Sequence, residues 1–407
     1  MLYNGETKGA NGFGGRCRMI RWNRLGLVVI AGLAMSTACS KPPVLGVLLP
    51  ISGSAATYGK SMSDAMHLAL DEAQKKGDVP KGFKAYWADS ASDPATGVKE
   101  LKVLADEDKA RFVIGGCTSD VAKALLPVLK KKQVVCLSPS ASAPELTKKS
   151  KLFYRLFPSD ELEGLRAGTF LYQEQGKRKV LIFSSGNEHA RGIEPEFRHQ
   201  FEQNLGGKVV ARILLTDSNW QQQAVDAITA GQPDSAYIIA YAQPTVKVLK
   251  FLRGRHFQGT ICVTSAFYNR AVLNANKKLV EGVFLPLPSF DPQSKAKNVQ
   301  AFVQAYQQRF GVEPDIFAAH AYDAMRVALY VLKNTKYQVA EEYQKTLRFG
   351  LNDFKGVTGI IRFDDYGDVH HNPIIYIVKN GEVLNFERYR KEQLAKIRKE
   401  ILGLTGS

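Results

Sequence analysis

The chain has 407 residues, of which 45% are hydrophobic, 23% charged and 10% aromatic. That mix excludes a disordered or fibrous protein, and the length accommodates two ordinary domains. The formal net charge of +16 at pH 7 raises nucleic acid, anionic lipid or acidic ligands as partner classes.

At the N-terminus, Arg21 and Arg24 precede an apolar run from Leu25 to Met35, and Ser36, Thr37 and Ala38 lead into Cys39. A basic segment, an apolar core and small residues before a cleavage point make a secretory signal over residues 1–38. The run falls short of the roughly 20 residues that a spanning helix needs. The small residues before Cys39 resemble a bacterial lipoprotein signal, which implies lipidation of Cys39, with Ser36 standing where an aliphatic residue is usual. Met19 is an alternative start to Met1. Residues 1–38 carry five basic residues and one acidic, so the mature chain keeps +12. Export gives it little access to nucleic acid, and lysine runs such as Lys130, Lys131 and Lys132 are assigned to solvated surface. Past Cys39, the remaining cysteines are Cys117, Cys136 and Cys262. An odd set without metal-ligand spacing is expected as buried free thiols, with a Cys117–Cys136 bridge left open.

From residue 44 onward, short apolar runs alternate with amphipathic stretches. Strands are expected at 44–49, 83–87, 112–114 and 134–137, separated by helices at 61–75, 95–106 and 120–131. The rhythm then restarts, with strands at 180–183, 209–214, 236–240 and 260–264 and helices at 193–205, 220–230 and 245–254. Strands alternating with crossover helices imply parallel sheets covered on both faces, and hence two successive α/β units. Two long helices follow at 294–310 and 317–333, then strands at 359–363 and 373–378, with turns at 365–368 and 379–382. The second turn holds Asn380-Gly381 between apolar runs, a hairpin signal. Residues 391–404 form a basic amphipathic helix, expected to pack on the surface.

Three polar stretches follow strands of the first unit: SGSAATYG at 52–59, GGCTSD at 115–120 and SPSASAPELT at 138–147. Ligands of open α/β sheets bind beyond the carboxyl ends of strands. Ser119 and Asp120 stand at the start of a helix, where either would cap it and where free N–H groups favour a carboxylate. Ser140 and Ser142 would add donors from the neighbouring strand end. Plain helix capping explains a single serine; two serine-rich turns after adjacent strands favour a site.

These stretches, together with DSASDP at 89–94, AYDA at 321–324 and FDDYGD at 363–368, resemble in order the leucine/isoleucine/valine-binding proteins of ABC transporters. The resemblance spans about residues 44–390. It implies a type I periplasmic-binding-protein fold: α/β, with two doubly wound, Rossmann-like lobes joined by a three-crossing hinge. Lobe one would be 44–157 plus 288–357, and lobe two 158–287 plus 358–390, followed by the tail 391–407. Carried over by position, Ser119, Ser140 and Ser142 would hold a ligand carboxylate. Tyr58 would line the cleft from lobe one and Tyr241 from lobe two. One departure matters: where amino-acid binders place an acid against the ligand's ammonium, this chain has Ser265. Glu188 could substitute by position, but a solvated loop carboxylate is the plainer reading. The usual Tyr-Gly of that loop is replaced by EHARG at 188–192, from which His189 or Arg191 would favour an acidic ligand. Phe267 and Tyr268 would add apolar wall or belong to the core.

The expected function is an extracytoplasmic, lipid-anchored receptor that takes a small carboxylate, an amino acid or related acid or amide, to an inner-membrane permease and ATPase. A ligand sensor or an envelope scaffold with the same fold is the alternative. An enzyme is disfavoured, because the chain carries no nucleophile elbow, P-loop or paired metal ligands. No catalytic residue, metal or cofactor is expected, and no nucleic-acid partner.

Overall fold

A computed structural model describes residues 42–404 except Asn352; the signal segment, both possible starts and Cys39 lie outside the described residues. Val44–Leu49 (β1) is followed by Ala56–Lys75 (α1), Lys84–Asp89 (β2), Pro94–Asp106 (α2), Phe112–Gly115 (β3), Ser119–Lys132 (α3), Val135–Ser138 (β4), Glu145–Lys149 (α4) and Phe153–Arg155 (β5). The strands form one parallel sheet in the order β2-β1-β3-β4-β5. Buried residues fill β1, β3 and β4 almost completely, as strands covered on both faces require. Helix α1 starts ahead of the expected residue 61 and buries Tyr58, Met62, Ala65, Met66 and Ala69, one helical stripe. Its first turn can approach β1 because residue 59 is glycine: a Cβ there would lie 1.9 Å from the Pro50 carbonyl oxygen.

The chain then enters a second sheet through Asp160–Thr169 (α5), Lys179–Ser184 (β6), Glu188–Arg198 (α6), Lys208–Leu214 (β7), Trp220–Gly231 (α7), Ser235–Ile239 (β8), Ala242–Gly254 (α8), Thr260–Val263 (β9) and Phe284–Leu287 (β10). The long helices Lys297–Phe310 and Ile316–Asn334 return to the first lobe, the second packing along α1. Two short strands, Phe354–Lys355 (β11) and Ile360–Ile361 (β12), pair with each other. Ile374–Lys379 (β13) and Glu382–Asn385 (β14) then complete the second sheet, β14-β13-β10-β9-β8-β6-β7. The β13–β14 hairpin turns at Asn380 and Gly381, with φ of 54° and 83°, the left-handed pair that Asn-Gly supplies.

The third crossing falls later than expected. Asp323 accepts hydrogen bonds from the Val357 and Thr358 amides and the Thr358 hydroxyl. The Phe363 ring packs on Tyr154 of β5 at 5.3 Å, and Arg155 forms a two-pronged pair with Asp368 at 2.6 and 2.9 Å. Residues 358–368, expected to open lobe two, therefore make these contacts with lobe one. The strand expected at 359–363 shrinks to β12, because residues 364–368 turn tightly about the Asp364 carboxylate. Phe386–Leu404 is the tail helix. It docks through Phe386 on Phe170 and Phe284, but Leu394, Ile397 and Ile401 remain exposed, so surface packing holds for its first turn alone. Cys117, Cys136 and Cys262 are buried and free, which removes the Cys117–Cys136 bridge.

Candidate ligand-binding cleft

The carboxyl ends of strands from both sheets converge on one small cavity between the lobes, concave and mostly apolar as small-molecule sites are. From lobe one, the segments after β1, β3 and β4 bring Tyr58, Ser119, Ser140 and Ser142 to its wall; from lobe two come Tyr241 and Ser265. All six residues named from sequence line it. His189, Ala266, Thr118, Cys117, Met62, Phe157 and Phe317 also contribute, giving an apolar body with a few polar groups.

Local chemistry fixes how each serine can act. Thr118, not Ser119 or Asp120, caps α3: its side chain accepts from the Val121 amide. Ser119 Oγ accepts from the Ala143 amide at 3.2 Å, which leaves its own proton to donate. Ser140 Oγ donates to the Cys117 carbonyl at 2.7 Å; a hydroxyl has one proton, so this one is already committed. Ser142 Oγ lies 3.3 Å from His189 Nδ1, and its proton is free for the cavity when that nitrogen is protonated.

His189 sits in the first turn of α6, which Asn187 caps, and its ring stacks on Tyr241. Asp160 Oδ1 lies 3.0 Å from His189 Nδ1, close enough for charge and hydrogen bonding together to favour the protonated ring. Burial disfavours the charged ring, but Asp160 outweighs it and holds the imidazole at about 9. His189 is thus a cation at neutral pH, with Nε2 buried and unpartnered among the described residues. Glu163, on the same helix as Asp160, accepts from the Ser265 amide at 2.7 Å and the Ser265 hydroxyl at 2.6 Å. Burial pushes its carboxyl up to about 7, against the pull of His189.

Among the described residues, no aspartate or glutamate lines the cavity. Glu188 instead pairs at the surface with Lys123 at 2.8 Å and with Arg191, and Arg191 is exposed there. Phe267 is fully buried core, and Tyr268 lies along a different pocket. Contacts across the cleft hold the lobes together: Tyr58 Oη donates to the Ala266 carbonyl at 2.8 Å, and Asn269 Nδ2 to Thr57 Oγ1 at 2.6 Å.

The sequence profile of the family described as "Periplasmic binding protein" matches residues 42–382. The chain belongs to that family. Among curated relatives of this periplasmic binding protein, the leucine-, isoleucine-, valine-, threonine- and alanine-binding protein of Pseudomonas aeruginosa is 22% identical over 84% of this chain and 91% of its own. Two solved structures share its fold. A leucine-binding protein from Thermotoga maritima has a TM-score of 0.76 at 23% identity, covering 84% of this chain and 97% of that one. A solute-binding protein of an ABC transporter from Rhodopseudomonas palustris, in complex with 3,4-dihydroxybenzoic acid, has a TM-score of 0.73 at 20% identity, covering 84% and 95%.

Proposed function

We propose that this protein is the extracytoplasmic substrate-binding receptor of a branched-chain-amino-acid-type ABC transporter. It delivers a small carboxylate to the permease and ATPase complex and is held at the membrane by lipid on Cys39. The two lobes close on the ligand. Ser119, Ser142 and the His189 cation receive the carboxylate, while Phe157, Phe317, Tyr58 and Met62 enclose an apolar body.

One observation carries the ligand class: among the described residues the cleft wall offers an imidazole and hydroxyls but no carboxylate. A buried ammonium without an adjacent anion is costly, and His189 adds a like charge. Between the two ligand chemistries represented among the relatives, a plain carboxylic acid fits these walls better than an α-amino acid. Calorimetry comparing benzoate, 4-methylpentanoate and leucine tests this. The acids are expected to bind at least as tightly as leucine; a clear preference for leucine over 4-methylpentanoate would overturn the reading. Metabolic labelling with a radioactive fatty acid, lost in Cys39→Ser, tests the anchor.

A further inference from the structure

The hydroxyl of Ser265 faces two environments. On one side is the cleft. On the other is Glu163, which is nine-tenths buried or more and absent from the cleft wall. In the ionised form the Glu163 carboxylate has no proton to give, so the 2.6 Å contact is then a donation from Ser265 Oγ to Glu163 Oε2. The second oxygen takes the Ser265 amide at 2.7 Å. Both donors of Ser265 are therefore committed to Glu163, so its hydroxyl oxygen has only lone pairs left to offer a ligand. The negative charge behind it strengthens that acceptor.

We infer that Glu163, acting through Ser265, sets the hydrogen-bond polarity of this wall and so selects carboxylates that carry a neutral donor, a hydroxyl or an amide N–H, opposite it. The inference rests on the carboxylate-receptor reading. Glu163 is a positioning residue: it touches Ser265, not the ligand. A ligand that places an ether or carbonyl oxygen there meets lone pair against lone pair, with two desolvated acceptors left unpaired.

Substitution can invert this polarity without removing the side chain. In Glu163→Gln, the amide oxygen must take the Ser265 N–H, so the NH₂ group occupies the Oε2 position and donates to Ser265 Oγ. The serine proton is then released toward the cleft, and the wall changes from acceptor to donor. The probes are benzoates bearing a hydroxyl or a methoxyl group at the 3- or 4-position, measured by calorimetry above the Glu163 value of about 7. In the wild type, hydroxyl is expected over methoxyl by about tenfold or more at one of these positions, the scale of one matched against one mismatched buried hydrogen bond. Glu163→Gln should bring that ratio to or below one, while Ser265→Ala should erase the discrimination. Thermal unfolding checks that both variants fold. Equal or better binding of methoxybenzoates by the wild type overturns the inference, as does an unchanged ratio in Glu163→Gln or, should that variant not fold, in Ser265→Ala. Failure of every carboxylate to bind overturns the receptor reading together with the inference; binding without hydroxyl preference overturns the inference alone.

Discussion

Three serines line the same wall, yet their protons are placed differently. Ser119 has an amide feeding its lone pair and a free proton, whereas the proton of Ser140 is spent on the Cys117 carbonyl. Ser119→Ala should therefore weaken carboxylate binding by about tenfold or more, the loss of one charge-assisted hydrogen bond. Ser140→Ala should change affinity less and stability more, since it leaves a buried carbonyl without its donor; calorimetry and thermal melting separate the two. His189 makes the site pH-sensitive. Its ordinary value is 6.5, and Asp160 raises it to about 9 against the cost of burial. A folded-state value above the unfolded one gives a contribution fully present below 6.5 that is lost as pH rises through about 9. The melting temperature should fall across that window, with a shallower slope in His189→Gln, and carboxylate affinity should decline near its upper end.

At the scale of elements, the tightest fit is where α1 leaves β1. Gly59→Ala would drive a methyl against the Pro50 carbonyl oxygen, so the first turn of α1 must shift and take Tyr58 with it. A loss of about 1–3 kcal/mol is expected, as for other overpacked sites, readable in denaturant melts alongside weakened ligand binding. Much of this architecture was legible from periodicity, because buried parallel strands are nearly continuous apolar runs and the helices between them keep an apolar stripe. What escaped has local causes. Strand β5 is three residues long and ends in a buried arginine, β10 contains Pro286, and α5 opens with Asp160, Glu161 and Glu163 and carries Gly164 and Gly168. The lining of the cavity was legible where it follows a strand end, as at Ser119 and Ser142, whereas Ser265 came from the family resemblance. Phe157 and Phe317 were not, since an aromatic in a hydrophobic run carries no mark of facing a cleft. Glu163 stands 102 positions from the serine it controls, a pairing that only the folded chain brings about.

On the scale of the whole molecule, the directed contacts between the lobes include Tyr58 to Ala266, Asn269 to Thr57, and the Lys123–Glu188 and Arg270–Glu313 ion pairs. The first two are short and lie at the second lobe's 265–269 turn. Removing both, in Tyr58→Phe with Asn269→Ala, should raise the share of separated lobes in the ligand-free protein. Apparent affinity then falls in proportion to the closed fraction, for all carboxylates alike and without reordering them. Small-angle scattering should show a larger radius of gyration that a saturating ligand reverses; identical scattering profiles would count against the latch.

Cys117 gives this protein an internal clock. Cys117 lines the cleft and is buried, and burial pushes its thiol up to about 12, whereas Cys136 and Cys262 are wholly enclosed. An alkylating reagent can reach the Cys117 sulfur only while the lobes are apart, when water returns and the thiolate becomes accessible. In the mature chain with Cys39 replaced by serine, the rate of alkylation at Cys117 should track the population of the separated state. A bound carboxylate should slow that rate by the factor by which it depletes the separated state, so that a single sulfur atom reports occupancy without any label on the ligand.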